Sequence, residues 1–180
     1  MDKQGVITRN KARLLVKGYN QEEGIDYDET YAPVTRLEAI RMLLAYASFM
    51  NFKIYQMDVK SSFLNGFIEE EVYVEQPPGF ESFDFPNHVF KLLKDLYSLK
   101  QAPRAWYERL SNFLLEKGFS KGKVDTTLFI KKTKNDLLIV QIYVATNHCL
   151  CEEFSKLMQG EFEMSMMGEL KFFLGLQIKQ

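Results

Sequence analysis

The hydrophobic and polar positions of this chain repeat with two periods, and the switches between them mark out its elements. Residues 11–19, KARLLVKGY, alternate basic and apolar side chains, the pattern of a half-buried strand with Lys11, Arg13 and Lys17 on one face. A turn-rich connector, DYDETYAPV, follows. Thr35 and Glu38 have the spacing of a capping box, and Leu37, Ile40, Leu44 and Ala47 recur at helical intervals, which predicts a helix over 35–50. NFKIYQMDV, residues 51–59, reads as a strand ending at an aspartate. EEEVYVEQPPGF reads as a short edge strand stopped by Pro77, Pro78 and Gly79, and HVFKLLKDLY begins as a strand and is ambiguous beyond that.

The second half is more sharply patterned. Pro103 suits a first helical turn, Trp106, Leu110, Phe113, Leu114 and Lys117 share a stripe, and Gly118 suits the end of the helix. TTLFIKK and DLLIVQIYV read as two strands of a hairpin around the polar turn TKN. After Val144 the pattern changes at once: Leu150, Phe154, Leu157 and Met158 predict a helix of about three turns, with no return strand before it. ELKFFLGLQIKQ reads as a closing strand with Gly175 inside it. Helices and strands at uneven spacing, with hairpins, predict an α+β domain with a mainly antiparallel sheet.

Composition narrows the classes without choosing among them. The chain has 180 residues, 46% hydrophobic and 26% charged, enough for one domain with a real core. A net charge of −1 means that any polyanion-binding surface is local. Cys149 and Cys151 lack the second pair of ligands a zinc site needs, and His88 and His148 stand without a partner pattern. No apolar run approaches the ~18 residues of a membrane span, and the polar start MDKQGVITRN has no signal-peptide core, so a cytoplasmic or nuclear location is expected.

Two groups of residues suggest chemistry. Asp58 ends an apolar strand, where a carboxylate emerges from a sheet edge, and Phe63 follows five residues later. Lys100, Gln101 and Arg104 cluster at a helix start, where cations and donors attract anions. Taken singly, these residues also fit a turn former, a core aromatic and an ordinary capped helix.

Seven segments in order, KARLLVKGYNQEEGIDYDETYAPVTR, QMDVKSSFLNG, VYVEQPPGF, LYSLKQAPRAWYERL, DTTLFI, QIYV and GELKFFLGLQI, resemble the motifs of the copia-type retrotransposon reverse transcriptase. The resemblance implies a partial right-hand polymerase with fingers (1–50 and part of 65–95) and palm (51–64 and 96–180), a single incomplete domain with no thumb. It implies an RNA or DNA template-primer and deoxynucleotides as partners, and Mg²⁺ as cofactor. Asp58 is then the first palm carboxylate and metal ligand, Phe63 the aromatic gate under the sugar, and Lys11 and Arg13 the basic finger residues on the triphosphate. Residues 97–104, with Lys100, Gln101 and Arg104, support template and incoming base, and FFLGLQI forms the hairpin near the primer end. Phosphoryl transfer by two cations ~3.5–4 Å apart needs several carboxylates to hold them.

The chain departs from that pattern where the chemistry is densest. The family follows Tyr and a variable residue with Asp-Asp at a hairpin tip; here Tyr143-Val144 leads into Ala145-Thr146-Asn147. Roughly six residues are missing, about 20 Å of extended chain, including both aspartates and most of the return strand. Asp125, Asp136, Glu152 and Glu153 are the nearby acids, and none is expected at the hairpin tip. Ser98 stands in place of the family's Gly, a strained choice if the position needs φ > 0. A catalytically inactive remnant is the expectation, with a strand left unpaired and poor solubility as its consequence. A non-catalytic nucleic-acid-binding module, or an active enzyme with a gene-model error at Val144–Ala145, are the alternatives.

Overall fold

The fold is described by a computed structural model covering residues 13–133, 137–142, 147–149, 152–170, 172–173 and 176–177. It is α+β. A thirteen-residue helix, α1 (Leu37–Phe49), leads into strand β1 (Tyr55–Val59). A short ladder, β2 (Tyr73–Val74) with β3 (Phe90–Lys91), precedes the long helix α2 (Ala102–Glu116). Strands β4 (Ser120–Lys121), β5 (Leu128–Lys132), β6 (Leu137–Ile142) and β7 (Asn147–Cys149) follow. Helix α3 (Glu152–Glu161), β8 (Met164–Glu169) and a small hairpin of β9 (Phe172–Phe173) with β10 (Leu176–Gln177) complete the order.

Six strands form one antiparallel sheet in the order β4-β5-β6-β7-β1-β8. Strand β7 is its seam. Asn147, His148 and Cys149 pair with Ile142, Gln141 and Val140 on one side and with Met57, Gln56 and Tyr55 on the other. The expectation that β6 has no return strand is therefore corrected. Residues expected to enter a helix supply the strand instead, because an unpaired β6 in the sheet centre leaves buried backbone groups without partners. Helix formation begins only at Glu152. The ground for expecting poor solubility, an unpaired β6, is removed with it.

The two sheet faces carry separate cores. On one, α2 and α3 bury Trp106, Leu110, Phe113, Phe154 and Met158 against Met57, Phe129, Val140, Ile142 and Met164. The predicted α2 stripe is buried as expected except for Lys117, which is exposed and lays its ammonium 5.2 Å from the Phe113 ring. Gly118, at φ +82°, ends the helix: its N–H bonds Leu115 O at 2.9 Å and the Phe119 N–H bonds Leu114 O at 3.0 Å, a Schellman closure that buries Phe119. On the opposite face, Ile40 and Ala47 of α1 meet Ile54, Leu170 and Phe173.

Strand β8, absent from the sequence reading, changes phase within itself. Gln56 pairs with Gly168 and Met57 with Met166, so Met167 is a bulged residue, beside Gly168 at φ +89°. Burial alternates along the strand, but the residue types in MSMMGE do not, because the bulge adds Met167.

Three other expectations are corrected. Residues 13–17 make a single bridge, Leu15 to Tyr97, and then a 3-10 turn at Gly18–Asn20, so the basic strand is not formed among the described residues; Lys11 lies outside them. The closing segment is the β9–β10 hairpin that the family resemblance implies, not one strand. The capping box at α1 does not form: the N-cap is Arg36, with no side-chain cap.

Thr35 is instead the hub of a buried polar network. Its hydroxyl donates to the Ile142 carbonyl. The Gln141 side-chain amide donates to Thr35 Oγ1 at 3.0 Å and to Thr127 Oγ1 at 2.6 Å, and the Thr127 hydroxyl donates to Asp125 Oδ1. One proton arrangement satisfies every member, which fixes the entry of α1 to the β5–β6 hairpin. Replacing Thr35 with Val removes the hydroxyl donor from the Ile142 carbonyl and leaves the Gln141 amide only the Thr127 hydroxyl and a long 3.4 Å contact to Asp125 Oδ2. Thr35→Val is expected to lower the unfolding free energy by about 1–3 kcal/mol, read as a lower urea midpoint at unchanged m-value.

Candidate active site around Asp58

Asp58 sits near the end of β1 on the sheet face that carries Ile54, Gln56 and Gln141, and its side chain is exposed. It is one residue beyond the last β1–β7 pair, Met57–Asn147, and opposite Ser165 on β8. Two residues on, Lys60 forms an ion pair with Glu163 at 2.5 Å. The polar strip Asp58, Lys60, Glu163 and Ser165 thus crosses β1 and β8. Nothing local in the sequence points to its β8 half, because the Met-rich bulged strand carries no period-two signal in residue type.

Two divalent cations need more carboxylates than this strip assembles. Among the described residues no group of three or more His, Cys, Asp or Glu side chains could hold a metal ion. Asp125 is committed to the Thr127 backbone N–H at 2.8 Å and to the buried network. Asp136 and the Glu152 and Glu153 side chains lie outside the described residues. The segment joining β6 to β7, Tyr143-Val144-Ala145-Thr146, also lies outside them and contains no acidic residue. Among the described residues, the donor set around Asp58 does not fit a two-Mg²⁺ centre.

Phe63 lies in a 3-10 turn, Ser62–Asn65, entered through Ser61 at φ +51°. Its ring packs 5.1 Å from that of Tyr97, half-buried between the α2–α3 core and a smaller cluster of Val72, Leu99 and Ala102. Arg13 reaches the same Tyr97 ring, with its guanidinium 5.4 Å from the centroid. Phe63, Tyr97 and Arg13 thus pack together, with the two rings tilted by 58°.

Lys100, Gln101 and Arg104 are brought together at the start of α2, but on the chain's own 21–29 segment. Gln21 accepts from the Lys100 backbone N–H at 2.9 Å and donates to Gln101 Oε1 at 3.0 Å. The Lys100 ammonium donates to Gln21 O at 3.0 Å and lies 4.9 Å from the Tyr27 ring centroid. Gln101 is buried and donates to Asp26 O at 3.3 Å. Arg104 pairs with Glu29 at 3.5 Å and Glu108 at 2.9 Å. Gln21, Tyr27 and Glu29 went unnoticed as partners because nothing local ties them to residues some 75 positions away.

Asp95 was also missed. It is fully buried, neither carboxylate oxygen has a partner among the described residues, and burial, with the Glu70 charge second, raises it to about 7. A lone Asp in KLLKDLY carries no sequence signal of burial.

Ser98 does occupy the left-handed region, at φ +80°. A Cβ on Gly18 would stand 1.7 Å from the Ser98 carbonyl oxygen, so the 18–20 turn and this residue approach backbone to backbone. Left-handed geometry costs an L-residue about 1–2 kcal/mol, partly offset by the unfolded-state freedom of glycine. Ser98→Gly is expected to stabilise the fold by about 1 kcal/mol, raising Tm by roughly 2–4 °C in a thermal melt.

A sheet-borne aspartate, a packed aromatic turn and a cation-bearing helix start follow one another in this chain order. The whole chain, residues 1–180, matches the family described as reverse transcriptase (RNA-dependent DNA polymerase), and it belongs to that family. Its relatives are copia-type Pol polyproteins. It is 41% identical to the retrovirus-related Pol polyprotein from transposon RE1 of Arabidopsis thaliana and 38% identical to that from transposon RE2, over 98% of this chain and 12% of each polyprotein. It is 37% identical to the polyprotein from transposon TNT 1-94 of Nicotiana tabacum, over 96% of this chain and 14% of that protein. The chain thus spans about an eighth of the length of these relatives. No solved structure matches it.

Proposed function

We propose that this chain is a reverse-transcriptase palm and fingers unit that has lost nucleotidyl transfer. One observation carries the reading: among the described residues Asp58 belongs to no group of three acidic, Cys or His side chains that could hold a metal, while β6 and β7 are joined by four residues without a carboxylate. The division into palm (51–64 and 96–180) and fingers (1–50 and part of 65–95) is supported by the sheets. All six strands of the main sheet come from the palm ranges, and β2 and β3 from the finger range.

In this reading Asp58 is the remaining palm carboxylate, and Phe63 backs the sugar of a deoxynucleotide. Lys11, Arg13, Lys100, Gln101 and Arg104 are the groups that would meet triphosphate and template-primer. Mg²⁺ would supply the charge that stabilises the attacking and leaving oxygens, and this donor set does not hold it. Losing that clamp costs more than ~4 kcal/mol in the transition state, over a thousandfold in rate.

Purified chain incubated with primed template, deoxynucleotides and Mg²⁺ or Mn²⁺ is expected to give no extension above a no-protein control, with Asp58→Ala indistinguishable from the parent. Incorporation that Asp58→Ala abolishes would overturn the reading and favour an active enzyme whose sequence is altered at Val144–Ala145.

A further inference from the structure

Asp95 is a buried ionisable group with no role in the site above. It lies in the link between β3 and α2. Its backbone N–H donates to Gly66 O at 3.1 Å, and its side chain packs where the chain leaving the Phe63 turn meets α2. A Cβ on Gly66 would stand 2.7 Å from Asp95 Oδ2 and 3.1 Å from Ala105, so the carboxyl fills the space that the glycine leaves.

The charged groups on the surrounding elements are turned to other partners. Arg104 pairs with Glu29 and Glu108, and Arg109 with Glu161. Lys91 pairs with Glu71, and Lys94 lies over the Phe67 ring. Lys100 is held by Gln21 and Tyr27. The charge that does bear on Asp95 is Glu70, of like sign. An ionised Asp95 has neither counterion nor hydrogen-bond donor among the described residues, and a charge so placed must reach water.

The link beside it combines a strained residue with long turn bonds. Ser98 is held at φ +80°, and the turn bonds Leu99 N–H to Leu96 O and Ala102 N–H to Leu99 O are long, at 3.3 and 3.4 Å. Residues 96–99 close over the small cluster of Val72, Leu99 and Ala102, separate from the sheet core apart from the shared Phe63.

We propose that the Asp95 carboxyl is a proton-operated latch on the 95–99 link, holding Tyr97 against Phe63 when protonated and releasing the link when ionised. Protonation is favoured in the closed form, where burial raises the group to about 7; in the open form it returns to the ordinary aspartate range. Opening therefore grows about tenfold per pH unit from the ordinary range up to about 7 and levels off above it. The latch does not depend on polymerase function, since it rests on burial and packing alone.

Amide exchange read by mass spectrometry tests it, with rates corrected for intrinsic pH dependence. Between pH 5 and 7.5, peptides spanning 92–102 in the unaltered chain are expected to lose protection at least tenfold, while peptides from α2 beyond Trp106 and from β6 keep theirs. Asp95→Asn, neutral and of the same shape, is expected to hold 92–102 protected across the range. Should that variant fail to fold, the carboxyl ¹³C shift of Asp95 in the unaltered chain gives the answer, with a midpoint near neutral expected. Three results would each overturn the latch: protection that does not change with pH, equal loss in the sheet peptides, or a carboxyl midpoint in the ordinary aspartate range.

Discussion

The fold depends on three residues being paired twice. Asn147, His148 and Cys149 bond to β6 on one side and to β1 on the other. Without them the main sheet separates into β4-β5-β6 and β1-β8, and the core under α2 and α3, which draws Met57 from one half and Val140 and Ile142 from the other, has no continuous floor. Each backbone hydrogen bond adds only ~0.5–1.5 kcal/mol net, but leaving such a ladder unmade in a sheet interior costs the desolvation of every group in it. That imbalance explains why residues with helical spacing are drawn into a strand. Tertiary demand overrides local preference over three residues, and α3 starts where the demand ends.

The same seam shows how sheet continuity and side-chain chemistry make separate demands on the chain. Sheet continuity is a backbone requirement, met by any residues that can extend. Metal binding is a side-chain requirement, met only by carboxylates at fixed places. Asp58 keeps its position near the end of a central strand because Met57 beneath it is fully buried and Ser165 faces it across β8. Nothing in those contacts depends on a second acid. The helix-start residues show a parallel separation: Lys100, Gln101 and Arg104 are held together by Gln21, Asp26, Tyr27 and Glu29, so their geometry survives without an external anion.

Elements with long, clean periods were legible in the sequence. Helix α2 and its buried stripe, the β5–β6 hairpin, the short β2 edge and the body of α1 all follow from side-chain spacing. What escaped was decided by distant partners. Thr35 has the spacing of a cap, yet its hydroxyl serves Ile142 across the sheet. The 13–17 segment alternates like a strand but finds one bridging residue, Tyr97. Strand β8 hides its alternation behind a bulge, and Asp95 looks like any surface aspartate until Gly66 and α2 close over it. Asp58, Phe63 and the 100–104 group were singled out from local residue patterns and the order of motifs, and the positive φ at Ser98 from a single substituted glycine. Their internal partners were not, because long-range pairing leaves no mark at short range.

The bulge at Met167 does more than excuse an irregular pattern. A strand's side chains alternate strictly, so residues an even number apart face the same way. Met164 and Leu170 are an even number apart, yet Met164 joins the core beneath α2 and α3 while Leu170 joins the one beneath α1. The inserted residue changes the parity of the strand midway, so a single edge strand serves as a wall for two rooms. It also leaves Ser165, rather than a methionine, opposite Asp58. The polar surroundings of Asp58 are thus a by-product of how the sheet divides its apolar side chains between two cores, and they follow from packing alone.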